Sequence, residues 1–242
     1  MAMPLISANG RSVFFAHIPK TGGSSVEEYL VRRFGGPLSL IDRNKREGVR
    51  GTGLITPLTH VAAIDLREML PPNIDFGFTV VRDPIARMQS EYRYQTGVSR
   101  MSRLSFSTWL RIMITAVRIE PRIYENHIRP QVDLIPENTE IFRLEDGFDG
   151  VIERLDEVTG STAPDQNVRH LLKRERKEIA LHRQDVELLA AFYADDFERF
   201  GYDLPDPSTY PHDRYTSFRT AFAAVFARAL VMRQRHEWTR GA

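Results

Sequence analysis

The feature that most restricts the fold is the run Val13-Phe-Phe-Ala-His-Ile-Pro-Lys-Thr-Gly-Gly-Ser-Ser25. Val13 to Ile18 are mostly apolar and short enough for a core strand. Pro19 ends that strand, because it has no N–H to give to a ladder. Gly22 and Gly23 allow positive φ and let a ligand approach the backbone closely. Ser24 and Ser25 can cap a helix that Val26, Tyr29, Leu30 and Phe34 continue. The start of a helix offers N–H groups and a positive dipole end, so the turn is a ready anion site. Lys20 adds a cation at its mouth, and Thr21, Ser24 and Ser25 add hydroxyl donors. A strand–turn–helix that binds nothing is the alternative.

The turn is not a Walker A loop, in which lysine follows the glycines. Here Lys20 precedes Gly22 and Gly23. A second unit of similar design follows. Phe76-Gly-Phe-Thr-Val-Val81 is a near-continuous apolar run, as for a parallel strand covered on both faces. Arg82 stands at its C-terminal end, Asp83 is a natural N-cap, and Pro84 is a natural first helical residue. Ile85, Met88 and Tyr92 repeat at helical spacing towards the core, and Ser90 lies off that stripe. Both anion-binding groups therefore fall at the carboxyl ends of strands, where open α/β sheets bind ligands. The expected fold is a single P-loop-like α/β domain over residues 1–242, with a central parallel sheet flanked by helices in three layers.

The order Pro19-Lys20-Thr21-Gly22-Gly23-Ser24-Ser25 resembles the 5′-phosphosulfate loop of the sulfotransferases. These enzymes use 3′-phosphoadenosine 5′-phosphosulfate (PAPS). Arg82-Asp83-Pro84, with Ser90 eight residues after the arginine, resembles their 3′-phosphate motif. The resemblance implies PAPS as co-substrate, held by Lys20, Thr21, Gly22, Gly23, Ser24 and Ser25 at one end and by Arg82 and Ser90 at the other. Lys20 would also neutralise the oxygen that leaves with the nucleotide. The order of Pro-Lys-Thr-Gly-Gly, then Leu58-Thr59-His60, then Val-Arg-Asp-Pro with Ser-Glu-Tyr-Arg is similar to the heparan sulfate 6-O-sulfotransferases. There the base is a histidine of the middle segment, so the resemblance implies His60 as base. His127 is the other candidate. Tyr124-Glu-Asn-His127-Ile-Arg129-Pro130-Gln131 is similar to a segment that approaches the active site in glycan sulfotransferases. That makes His127 and Arg129 acceptor-side candidates, with structural roles as the alternative.

The remaining chain adds elements. A helix starts near His60 or Val61, with Thr59 as cap, and Pro71-Pro72 stops it. Ser105 caps a helix that carries Trp109 and Met113 inward. Thr139–Leu144 reads as a strand, Asp146–Thr159 as a helix, and Asp185–Phe200 as one long amphipathic helix. Two charged stretches read as solvated surface. In the first, residues 42–53, Arg43, Lys45, Arg46 and Arg50 could meet an anionic acceptor. In the second, residues 172–177, Lys173, Arg174 or Arg176 could close over the nucleotide. A C-terminal amphipathic helix spans about 213–238. Packing on its own domain, a homodimer contact and a peripheral membrane contact are the uses open to it.

Composition sets the outer limits. A net charge of +1 over 242 residues gives no global drive towards nucleic acid or membranes, and no cysteine is present for disulfides, thiol catalysis or Cys-ligated metals. No His pair has helix-face spacing with a carboxylate partner, so no metal is expected. No apolar run of about 18 residues suggests a transmembrane helix. The first core strand begins so early that no membrane anchor precedes it, and a cytoplasmic enzyme is expected. The acceptor implied by the resemblance is a hydroxyl of a saccharide or glycolipid, or of a small hydroxylated metabolite. A small-molecule kinase and a non-catalytic nucleotide-binding scaffold are the competing readings. The position of the lysine and the lack of a Mg²⁺-binding carboxylate near the loop count against the kinase.

Overall fold

The computed structural model describes residues 4–35, 60–98, 104–162 and 178–241. The two basic stretches at 42–53 and 172–177, and Thr59, lie outside the described residues. Among the described residues the strands are β1 (Leu5–Ala8), β2 (Arg11–Ala16), β3 (Phe76–Val81) and β4 (Thr139–Arg143). The helices are α1 (Gly23–Phe34), α2 (Ala63–Met69), α3 (Pro84–Val98), α4 (Phe106–Ile119), α5 (Asp149–Thr159), α6 (Arg183–Phe192), α7 (Ala194–Phe200) and α8 (Thr216–Gly241). Contacts divide the chain into two units, Met1–Arg82 with Asp133–Arg174, and Asp83–Val132 with Glu175–Ala242.

The first unit holds the sheet, in the order β1-β2-β3-β4. β1 and β2 form an antiparallel hairpin. Asn9 at φ 50° and Gly10 at φ 76° supply the left-handed pair that a two-residue turn needs. β2, β3 and β4 run parallel, with Val13 opposite Phe76 and Val81 opposite Arg143. Alternation along β2 splits its side chains between two cores. Val13 and Phe15 pack with Val26, Tyr29 and Leu30 of α1 and with Val151, Ile152 and Leu155 of α5. Phe14 and Ala16 pack with Val61 and with Leu66 of α2. Helices on both faces make this the expected α/β layering. Each of these large apolar side chains contributes about 1.5–3 kcal/mol through burial. β2 covers Arg11–Ala16, whereas the apolar run predicts Val13–Ile18. The hairpin to β1 draws its start back by two residues.

In the second unit Asp83 accepts from the Ala86 N–H at 2.7 Å and Pro84 opens α3, as the sequence predicts. Ser105 caps α4 by accepting from the Thr108 N–H. α4 buries Trp109, Leu110, Ile112 and Met113, and the Trp109 indole donates to Gln95 at 2.9 Å. α8 runs against α4 and buries Ala223, Ala227 and Val231. The single helix predicted over 185–200 is two helices. Tyr193 leaves helical geometry at φ −108°, ψ 26°. Its buried ring turns inward, where the hydroxyl donates to the Ile128 carbonyl at 2.7 Å. Arg111 and Asp185 form a buried ion pair at 2.6 Å, and Ser107 donates to the same carboxylate.

Candidate active site

The carboxyl ends of the neighbouring parallel strands β2 and β3 set the site in the first unit. After Ala16 the chain leaves the sheet through His17, Ile18 and Pro19 and turns at Lys20. Lys20 has φ 69°, in the left-handed region that a residue with a Cβ enters at a cost of about 1–2 kcal/mol. The Lys20 carbonyl accepts from Arg82 Nη1 at 3.2 Å. One hydrogen bond thus ties the loop lysine to Arg82, which follows β3 and is the last residue of the first unit's N-terminal segment.

Gly22, at φ 88°, is the N-cap of α1 and brings no side chain to the first-turn N–H groups. The helix start therefore presents its positive end at the loop. The sequence predicts Ser24 and Ser25 as caps of this helix, but Gly22 is the N-cap and both serines lie inside the first turn. The Ser25 N–H is taken by the Gly22 carbonyl at 2.9 Å. The glycines also have separate duties. Gly22 needs its positive φ. A Cβ on Gly23 would stand 2.2 Å from the His17 ring, and Gly23 has no positive φ. The expectation that both glycines serve backbone freedom is corrected for Gly23, which makes room for His17. Thr21 is fully buried, and its hydroxyl donates to the Ile18 carbonyl at 2.9 Å. It closes the turn with its side chain.

His60 is buried ahead of α2, which starts at Ala63, whereas the sequence predicts a start near His60 or Val61. Its Nδ1 lies 3.0 Å from the His17 carbonyl oxygen, and the two imidazoles meet edge to face at 4.6 Å. A carbonyl can only accept, so in the neutral ring Nδ1 carries the proton and Nε2 is the basic nitrogen. His17 itself is buried, with Nδ1 2.5 Å from Glu27 of α1. Lys20, Thr21, Gly22, Gly23, Ser24, Ser25, His60 and Arg82 thus all belong to the carboxyl end of this sheet.

Ser90, His127 and Arg129 belong to the second unit. Ser90 is half-buried on α3. His127 Nδ1 is 2.9 Å from Glu91, and the Tyr94 ring stacks on the imidazole. The backbone leading to it, Tyr124, Glu125 and Asn126, takes three successive left-handed conformations. Buried groups hold the far side of this segment. Arg87 donates to the carbonyls of His127 and Arg129 at 2.9 and 3.0 Å. Asp196 accepts from the N–H groups of Gln131 and Val132 at 2.9 Å. Burial pushes the Asp196 carboxyl above its ordinary range, against the pull of Arg87 and those N–H groups.

Sequence reasoning missed Glu27, Glu91 and Arg87. Glu91 follows the motif serine directly, and Arg87 falls one turn before it, on the helical face of Glu91. That spacing is the signal that could have found them. Glu27 has no comparable signal, because its contact with His17 joins a strand end to a helix.

No curated protein and no solved structure matches the chain. The family model described as Sulfotransferase family matches residues 4–203. Because that match runs from the first strand to beyond the end of α7 and takes in both strand ends, this chain belongs to the sulfotransferase family.

Proposed function

We propose that the protein is a PAPS-dependent O-sulfotransferase whose acceptor is a hydroxyl of a saccharide or glycolipid. The observation that carries this reading is the bond from His60 Nδ1 to the His17 carbonyl, on the same sheet end as the Lys20 loop and Arg82. It fits a neutral histidine with Nε2 as base, in a setting otherwise arranged for anions.

The loop suits a phosphosulfate. The α1 terminus carries no side-chain cap at Gly22. When bound, PAPS supplies an activated SO₃ group. His60 Nε2 takes the proton of the acceptor hydroxyl as the new oxygen–sulfur bond forms. Lys20 stabilises the negative charge that grows on the phosphate oxygen as its bond to sulfur breaks. Arg82 holds phosphate by charge-assisted hydrogen bonds. Ser90 for the 3′-phosphate, and His127 and Arg129 for the acceptor, enter the proposal through the resemblance alone.

The test is incubation with PAPS and a panel of hydroxylated saccharides and glycolipids, read by mass spectrometry for addition of SO₃. His60→Ala and Lys20→Ala should each lower turnover by about 10²–10³-fold while leaving the fold intact. Absence of transfer across the panel, or full turnover by both variants, would sink the reading.

A further inference from the structure

α8 has two apolar faces. One, through Ala223, Ala227 and Val231, is buried against α4. The other is exposed: Phe218 is 73% accessible, Val225 74% and Met232 72%, with Phe222 and Phe226 beside them. Phe218, Phe222, Val225 and Met232 stand at i, i+4, i+7 and i+14, so they share one stripe along the helix.

The charges around that stripe are mainly of one sign. Residues 214–236 hold five arginines and no Asp or Glu, and Glu237, further along α8, is the one acid of the helix. Arg219 pairs with Asp213 and Arg235 with Glu120. Arg214, Arg228 and Arg233 are exposed.

We propose that the outer face of α8 docks on an anionic lipid surface. Phenylalanines flanked by arginines are the composition of a helix that lies in the headgroup layer. No helix of the described residues is long and apolar enough to cross a membrane, so the contact is peripheral. A second copy is a poor occupant, because pairing α8 with itself sets arginines largely against arginines, with Glu237 the single acid of the helix to answer them. An acidic partner helix would need a narrow seam. Here Phe226 broadens the stripe, and its N-terminal end opens into a pocket of about 380 Å³ between Leu104, Thr108, Tyr215 and Phe218. A lipid layer accepts such a surface without matching holes. This inference does not rest on the sulfuryl-transfer reading, and its failure would leave that reading untouched.

The test is sedimentation of the full chain with vesicles of phosphatidylcholine alone, or of phosphatidylcholine with phosphatidylglycerol. Binding is expected only to the anionic vesicles, and it should weaken as salt rises. Arg228→Gln should lower the partition coefficient about fivefold, the effect of one cation near an anionic surface. Phe218→Ser should lower it further with an unchanged melting profile, because Phe218 lies on the exposed face. Equal binding to both vesicles, or none to either, overturns the proposal. So does a dimer in sedimentation velocity that Phe218→Ser dissolves while vesicle binding is absent.

Discussion

Gly23 and Gly10 separate two reasons for a glycine. At Gly23 the obstacle is steric: a Cβ would sit 2.2 Å from a buried imidazole that Glu27 holds in place. Gly23→Ala should therefore destabilise by about 1–3 kcal/mol in urea unfolding, as overpacking does. Displacing the His17 ring also disturbs the strand end whose carbonyl orients His60, so turnover should fall with stability. At Gly10 nothing lies within 4 Å of the added Cβ, and the obstacle is φ 76° alone. Gly10→Ala should cost about 1 kcal/mol in the same assay and leave turnover unchanged. A loss of turnover in Gly10→Ala, or full stability in Gly23→Ala, would contradict this division. At this scale motif order is what makes Lys20, His60 and Arg82 candidates in the sequence, and the fold brings them to one end of the sheet. The role of His17 is not legible in the sequence, because a backbone carbonyl does the orienting and every residue has one.

Elements were legible where periodicity or capping chemistry was strong. β3, its Arg82 terminus and the Asp83-Pro84 opening of α3 follow directly from an apolar run and a cap. The β1 hairpin carried a usable signal in Asn9-Gly10, the commonest pair for a two-residue turn, but Leu5–Ala8 is too short to attract attention by pattern. The break between α6 and α7 has no local signal, because Tyr193 is an acceptable helix residue. What interrupts the helix is the distant Ile128 carbonyl that its hydroxyl reaches. Tyr193→Phe keeps the ring and removes that bond, leaving a buried carbonyl without its donor. A loss of about 1–3 kcal/mol is expected by chemical denaturation. An unchanged midpoint would show that the break is set by the backbone and not by the hydroxyl.

Across the whole molecule, ligand and pH act on the folded state together. Adenosine 3′,5′-bisphosphate at a hundredfold excess over its Kd should stabilise the chain by about 2.7 kcal/mol, with ATP weaker, in a thermal melt. Equal protection by ATP would favour a kinase. The acid limb has an identified contributor. The Ser12 N–H, the Arg11 guanidinium and the Ser12 hydroxyl hold the Asp75 carboxyl down to about 2. A carboxyl lowered on folding stabilises above its unfolded value of about 3.9 and loses that contribution as pH falls towards the folded value. The stability gap between the natural chain and Asp75→Asn should thus be present at neutral pH and close between about pH 4 and 2. A gap independent of pH would assign Asp75 a packing role.

The division of the chain also bears on how it is made. Neither unit is continuous: the first is completed only by Asp133–Arg174, after Asp83–Val132 of the second has been synthesised. During translation β3 leaves the ribosome long before β4, its parallel neighbour. Its Gly77–Val81 edge then waits without a strand partner, in the condition that invites association with other chains. Shortening the chain at the first unit boundary would make that transient state permanent, so an N-terminal fragment ending there would lack β4 and leave the β3 edge unpaired.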